Sequence, residues 1–124
     1  MNRIALAERP CLPCERKARV LTPHEISRLY EDLGAPWDIT GSTKIRREFM
    51  FKTFLQAMAF VDRVADIAET EGHHPDIHIF YNRVILEVWT HALNGLTEND
   101  FIVAAKIEAM YNAFAPRTIR LAHA

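Results

Sequence analysis

The stretch Asp76-Ile77-His78-Ile79-Phe80-Tyr81-Asn82-Arg83-Val84-Ile85-Leu86-Glu87-Val88-Trp89 has a period of two. Ile77, Ile79 and Tyr81 share one face; Asp76, His78 and Phe80 share the other. A tight turn is predicted at Asn82-Arg83, because asparagine tolerates positive φ. Beyond it Val84, Leu86 and Val88 alternate with Ile85, Glu87 and Trp89. A hairpin with one apolar face needs helices to cover that face.

Upstream the period lengthens. Phe54, Ala57, Met58, Val61, Val64, Ala65 and Ala68 form a helical stripe. Gly72 can close that helix and Pro75 forbids its continuation. Earlier still, Ile45, Phe49 and Phe51 alternate with Arg46 and Glu48, while Arg47 interrupts the apolar side and leaves its own face open. Trp37-Asp38-Ile39-Thr40 is a second strand, joined to the first through Gly41-Ser42. Thr22-Pro23-His24-Glu25 reads as a capping box that opens a helix over 23–33, with Ile26, Leu29, Tyr30 and Leu33 at helical spacing and Gly34 as its stop. Downstream, Asn94-Gly95 turns the chain and Thr97 caps a last helix with Glu98 and Asp100 in its first turn. Phe101, Ala104, Ala105, Ile107, Glu108, Met110 and Tyr111 continue that helix to a stop near Pro116.

The order helix, strand, strand, helix, strand, strand, helix predicts an α+β two-layer sandwich. It has a four-stranded antiparallel sheet with three helices on one face. Residues 1–20 read as a tail with little order, 21–116 as the domain and 117–124 as a C-terminal tail. The 124 residues suffice for one core without disulfide staples. Lys+Arg 15 against Asp+Glu 16 leaves no basic field for direct nucleic-acid binding. No apolar run approaches the ~20 residues that span a bilayer. Two cysteines and no secretion signal point to a reducing cytoplasm.

Four of the six histidines, His73, His74, His78 and His91, lie within nineteen positions. With the turn at Asn82-Arg83, Ile79 faces Leu86 and Ile77 faces Val88. The extended ladder then sets His74 opposite His91, with Cβ atoms ~5 Å apart. The hairpin thereby gathers His73, His74 and His91 beside the helix that stops at Gly72. Glu69, Glu71 and Asp76 are carboxylates close in sequence. Imidazole, with an ordinary pKa of ~6.5, gives or takes a proton near neutrality, so a cluster suits acid–base elimination. The spacing matches no metallohydrolase pattern, and no metal is expected. His78 has the parity of the other face and reads as surface. Cys11-Leu12-Pro13-Cys14 is a single pair where zinc ribbons need two. Phe80, Ile85 and Trp89 lie on the non-core face, an apolar patch that predicts self-association unless the first helix or the tail covers it.

Glu71-Gly72-His73-His74-Pro75-Asp76, Tyr81-Asn82, Thr90-His91 and Gly95-Leu96-Thr97-Glu98-Asn99-Asp100 together resemble the pterin-4a-carbinolamine dehydratase family. The family pattern is a His-His-Pro segment, an aromatic residue, a histidine after the next strand and an aspartate opening the last helix. The resemblance covers about residues 20–113, including Trp37 and Phe49-Met50-Phe51. It implies loss of water from 4a-hydroxytetrahydropterin to give quinonoid dihydropterin, with no metal or organic cofactor. That reaction recycles the pterin of aromatic amino acid hydroxylases. His73, His74 and His91 carry over as catalytic, and Pro75, Thr90, Ala92 and Leu93 as pocket wall. Glu69 matches a carboxylate that precedes the histidine pair in relatives, and Gly72 stands where animal relatives often have an acid. Family members form dimers and tetramers. Others are interaction modules that bind a homeodomain transcription factor or assist Rubisco assembly, and the assembly relatives tend to lose the histidines that this sequence keeps.

Overall fold

The computed structural model describes residues 5–12 and 19–123, with side chains as far as residue 114. Its elements are α1 (Pro23–Leu33), β1 (Asp38–Thr40), β2 (Lys44–Met50), α2 (Phe54–Glu71), β3 (Asp76–Phe80), β4 (Arg83–Val88) and α3 (Glu98–His123). The four strands pair antiparallel in the order β1-β2-β4-β3, so the architecture is the expected α+β sandwich.

Helix α1 starts where its capping box dictates. The Glu25 amide donates to Thr22 Oγ1 at 3.2 Å, and the Thr22 amide donates to Glu25 Oε1 at 2.9 Å. Gly34 closes it at φ 61, a left-handed conformation that costs glycine nothing. In α2 the buried positions are Ala57, Phe60, Val64 and Ala68. Phe60 is the anchor the expected stripe omitted: it lies between Ala57 and Val64 at i+3 and i−4, its ring 4.6 Å from Phe49 and 5.1 Å from Phe51. Phe54 and Ala65, counted in that stripe, face solvent.

The β3–β4 turn is Tyr81-Asn82, not Asn82-Arg83. Phe80 pairs with Arg83, Ile79 with Val84 and Ile77 with Leu86. Asn82 is pinned from outside the hairpin, its side-chain amide donating to the Phe51 carbonyl at 2.8 Å and its carbonyl accepting from the Phe51 amide at 2.9 Å. That leaves Tyr81 to take the positive φ of 56. The register slips by two residues, so every side chain keeps its face, whereas a slip of one would have inverted them.

The inner face carries Ile45, Phe49, Val84, Leu86 and Val88 into a core shared with α2 and α3. Arg47 also points inward. It pairs with Glu108 of α3 and stacks 4.3 Å from the Phe49 ring, and Glu108 also accepts from the Trp37 indole at 2.8 Å. On the outer face the expected apolar patch is broken up. Ile85 is only 6% exposed, with His78, Glu48, Arg83 and Glu87 around it in the pairing. Phe80 is exposed beneath the Arg83 guanidinium, and Trp89 is half-buried.

Two further boundaries differ from expectation. Residues 5–12, read as tail, are seated on α3: Leu6 is buried, Lys106 donates to the Ala7 carbonyl, and Leu12 exchanges two hydrogen bonds with Asn99. A single buried leucine carries no periodicity to read. Helix α3 runs past Pro116 to His123; the proline removes one backbone donor from the ladder without ending it.

Candidate active site

Gly72, at φ 67, turns the chain at the end of α2 and its amide closes on the Ala68 carbonyl at 2.9 Å. His73 follows immediately and is buried. Its Nε2 lies 2.6 Å from Asp100 Oδ1. Asp100, fully buried in the first turn of α3, uses its other oxygen to accept from the Thr97 amide at 2.8 Å and the Thr90 hydroxyl at 2.9 Å. The Thr90 and Thr97 hydroxyls are 2.9 Å apart. One carboxylate thus ties together the end of α2, the end of β4 and the start of α3. Among the described residues no buried side-chain polar atom lacks a partner. A carboxylate only accepts, so the His73 proton in this bond sits on Nε2 and the ring orientation is fixed.

The other two histidines are exposed. His74 Nε2 lies 2.6 Å from Glu69 Oε2, with both side chains in solvent. His91 opens a 3-10 turn over His91–Leu93, its Nε2 3.6 Å from Asp76 Oδ1. The Trp89 ring stands edge-on to His91 with centroids 4.2 Å apart.

These groups line one open hollow of about 450 Å³, formed by Gly72, His73, His74, Trp89, Thr90, His91 and Ala92. Of the residues expected from sequence, His73, His74, His91, Thr90 and Ala92 are brought together there. Pro75, Leu93 and Glu69 do not line it; Pro75 is buried, Leu93 is partly exposed, and Glu69 meets the hollow through His74. The predicted His74–His91 cross-strand pair is absent because the register moved. His78 lies outside, 3.2 Å from Glu87 on the outer face. The sequence reading missed Asp100 as the partner of His73, and Trp89 as a lining residue. Asp100 had two signals, its place in the first turn of α3 and its place in the family pattern, but neither paired it with His73. Another hollow, beside α1 and lined by Arg19, Leu21, Glu25, Arg28, Leu29, Asp32 and Glu98, holds neither histidine nor nucleophile.

Among the described residues no group of three or more His, Cys, Asp or Glu side chains is placed to hold a metal ion. Cys11 is half-buried with its thiol 3.7 Å from the Asn99 carbonyl oxygen; Cys14 lies outside the described residues. No helix among the described residues is long and apolar enough to cross a membrane.

The same arrangement of elements occurs in known proteins. A crystal structure of a transcriptional coactivator/pterin dehydratase from Brucella melitensis superposes with a TM-score of 0.69 at 36% identity, covering 74% of this chain and 98% of that one. A pterin dehydratase-like protein described as a RuBisCO assembly factor of the alpha-carboxysome superposes with a TM-score of 0.53 at 25% identity, covering 63% and 92%. A provisionally named pterin-4-alpha-carbinolamine dehydratase of Nitrosospira multiformis is 48% identical over 106 residues, 86% of this chain and 92% of the relative. The mitochondrial pterin-4-alpha-carbinolamine dehydratase 2 of Arabidopsis thaliana is 44% identical over 110 residues, 85% of this chain and 58% of the relative's own length. The sequence profile described as pterin 4 alpha carbinolamine dehydratase matches residues 19–110, the span that holds every histidine of the hollow together with Asp100. By fold, by sequence and by the extent of that match, the chain belongs to the pterin 4 alpha carbinolamine dehydratase family.

Proposed function

We propose that this protein removes water from 4a-hydroxytetrahydropterin to give quinonoid dihydropterin, through histidine acid–base catalysis in the hollow at the end of α2. The observation that carries the reading is the buried His73–Asp100 pair opening on the same hollow as His74 and His91. In the reaction the bond from C4a to its hydroxyl oxygen breaks, and the oxygen leaves as water with one added proton. N5 gives up its proton, and its electron pair forms the C4a–N5 double bond. An imidazolium supplies the first proton and a neutral imidazole takes the second, so the step needs two histidines in different protonation states. His73, held by Asp100, is one of them, and His91 is the other. His74 contacts substrate at the rim. No cofactor takes part. The substrate is the product of a pterin-dependent aromatic amino acid hydroxylase, so the protein acts in tetrahydropterin recycling beside such an enzyme, in the cytoplasm and as a homo-oligomer.

The fold likeness to the RuBisCO assembly factor supports a second reading, in which the domain is a non-catalytic interaction module. What favours the enzyme is that three histidines, His73, His74 and His91, line one hollow. The test generates 4a-hydroxytetrahydropterin in situ with a hydroxylase and compares its loss with and without the protein. Dehydration well above the rate in buffer supports the proposal. A rate equal to buffer, together with binding to Rubisco, turns the reading to the interaction module.

A further inference from the structure

Trp89 and Asp76 have no part in the chemistry above, yet both reach His91. The register explains why. Asp76 opposes Glu87, so Trp89, two residues further along the chain and just past the end of β4, is its diagonal neighbour on the outer face. The Trp89 indole N–H donates to Asp76 Oδ2 at 2.9 Å. Asp76 Oδ1 then faces His91 Nε2 at 3.6 Å, and the His91 ring meets the Trp89 ring edge-on at 4.2 Å. From the opposite side the Lys44 ammonium lies 5.0 Å over the Trp89 ring. The indole is therefore held between a cation on β2 and a carboxylate on β3. His91 rests on both members of the clasp.

We propose that Asp76 and Trp89 are positioning residues that hold the His91 imidazole at the mouth of the hollow. His91 needs such a hold more than His73 does. It opens a short 3-10 turn, half its side chain is in solvent, and no buried carboxylate fixes its ring. An acid–base group that must meet a substrate atom loses rate when its ring is free to swing. One of the two oxygens of Asp76 is already engaged by the indole, which sets the direction of the other toward His91. This inference rests on the dehydratase reading for its effect on rate, but not for the geometry of the clasp.

The test uses the full chain and the variants Asp76→Ala, Asp76→Asn and Trp89→Phe. The first removes the carboxylate, the second keeps an acceptor for the indole without the charge, and the third keeps an aromatic face without the N–H. Two quantities are read: the NMR resonances of the His91 ring protons, assigned by their loss in His91→Gln, and kcat separately from KM. In Asp76→Ala the ring-proton resonances are expected to move toward those of an exposed histidine, and kcat to fall on the order of tenfold, the low end of the loss when outer partners of metal-bound histidines are removed. KM is expected to stay within about twofold. Trp89→Phe and Asp76→Asn are expected to show smaller changes of the same kind, and Trp89→Phe serves if Asp76→Ala does not fold. Unmoved resonances, with kcat within about twofold of wild type, overturn the proposal. If wild type itself does not exceed buffer, the dehydratase reading falls, and the resonances alone decide whether the clasp exists.

Discussion

Two histidines adjacent in the chain meet carboxylates at the same distance and in opposite surroundings. His73 Nε2 lies 2.6 Å from Asp100 and His74 Nε2 lies 2.6 Å from Glu69. The first pair is 7% and 0% exposed, the second 58% and 79%. Asp100 is also bound by Thr90 and Thr97, so its position is decided by the fold around it. Glu69 meets only His74 and is otherwise largely in solvent. Equal distances therefore do not mean equal energies. An exposed ion pair contributes ~0–1 kcal/mol, whereas removing one member of a buried pair costs ~3–5 kcal/mol. The chain has built a buried histidine and an exposed one side by side, separated only by which way the backbone turns after Gly72.

The hardest way to break this contrast is Asp100→Ala. It leaves His73, Thr90 and the Thr97 amide without their shared acceptor, and an expected loss of ~3–5 kcal/mol follows in urea unfolding. Asp100→Asn fills the same space but turns a donor toward donors, and should cost ~1–3 kcal/mol. A loss below ~1 kcal/mol for Asp100→Ala would mean that the two pairs are alike after all. Glu69→Gln is the counterpart on the exposed side. Its expected effect on stability is within ~1 kcal/mol, and a larger loss by the same unfolding measurement would contradict the contrast.

The smallest effect concerns acid. The Arg19 guanidinium and the Thr22 amide hold the Glu25 carboxyl at about 2, well below the usual carboxylate range. A depressed carboxyl contributes its share of stability above its ordinary range, and that share is lost as pH falls through the folded value. Arg19 is exposed and Glu25 half-buried at the surface, so the contribution is small. The carboxyl carbon shift of Glu25 should titrate near pH 2, and Arg19→Ala should move its midpoint up. A midpoint in the ordinary range in wild type would contradict the pairing.

Much of the fold was legible because local chemistry decides it. Thr22-Pro23-His24-Glu25 and Gly34 bound α1 at the residues expected, and Gly72 with Pro75 ended α2. Strand faces followed from the period of two. The turn did not, since what places Asn82 second in it is a pair of bonds to Phe51, 31 residues away. The same limit hid the site's floor. His73 and Asp100 are 27 residues apart, and an aspartate in a helix's first turn explains itself as a cap without any histidine. Arg47 and Leu6 were obscure for a related reason: Arg47 is turned inward by Glu108 and Leu6 is buried on the α3 surface, each by a partner on a distant element.

The most direct test of the account is the dehydration rate of 4a-hydroxytetrahydropterin with wild type, His73→Ala, His91→Ala and the double variant, each checked for fold. Each single variant should lose at least ~10²-fold of the enhancement over buffer, the low end for a general acid or base. The double variant should lose less than the product of the two, because residues working in one step are not additive. His78→Ala, on the outer face, should run at the wild-type rate. If His73→Ala and His91→Ala both keep the wild-type rate, or His78→Ala falls as far as His91→Ala, the hollow at the end of α2 is not where the chemistry happens.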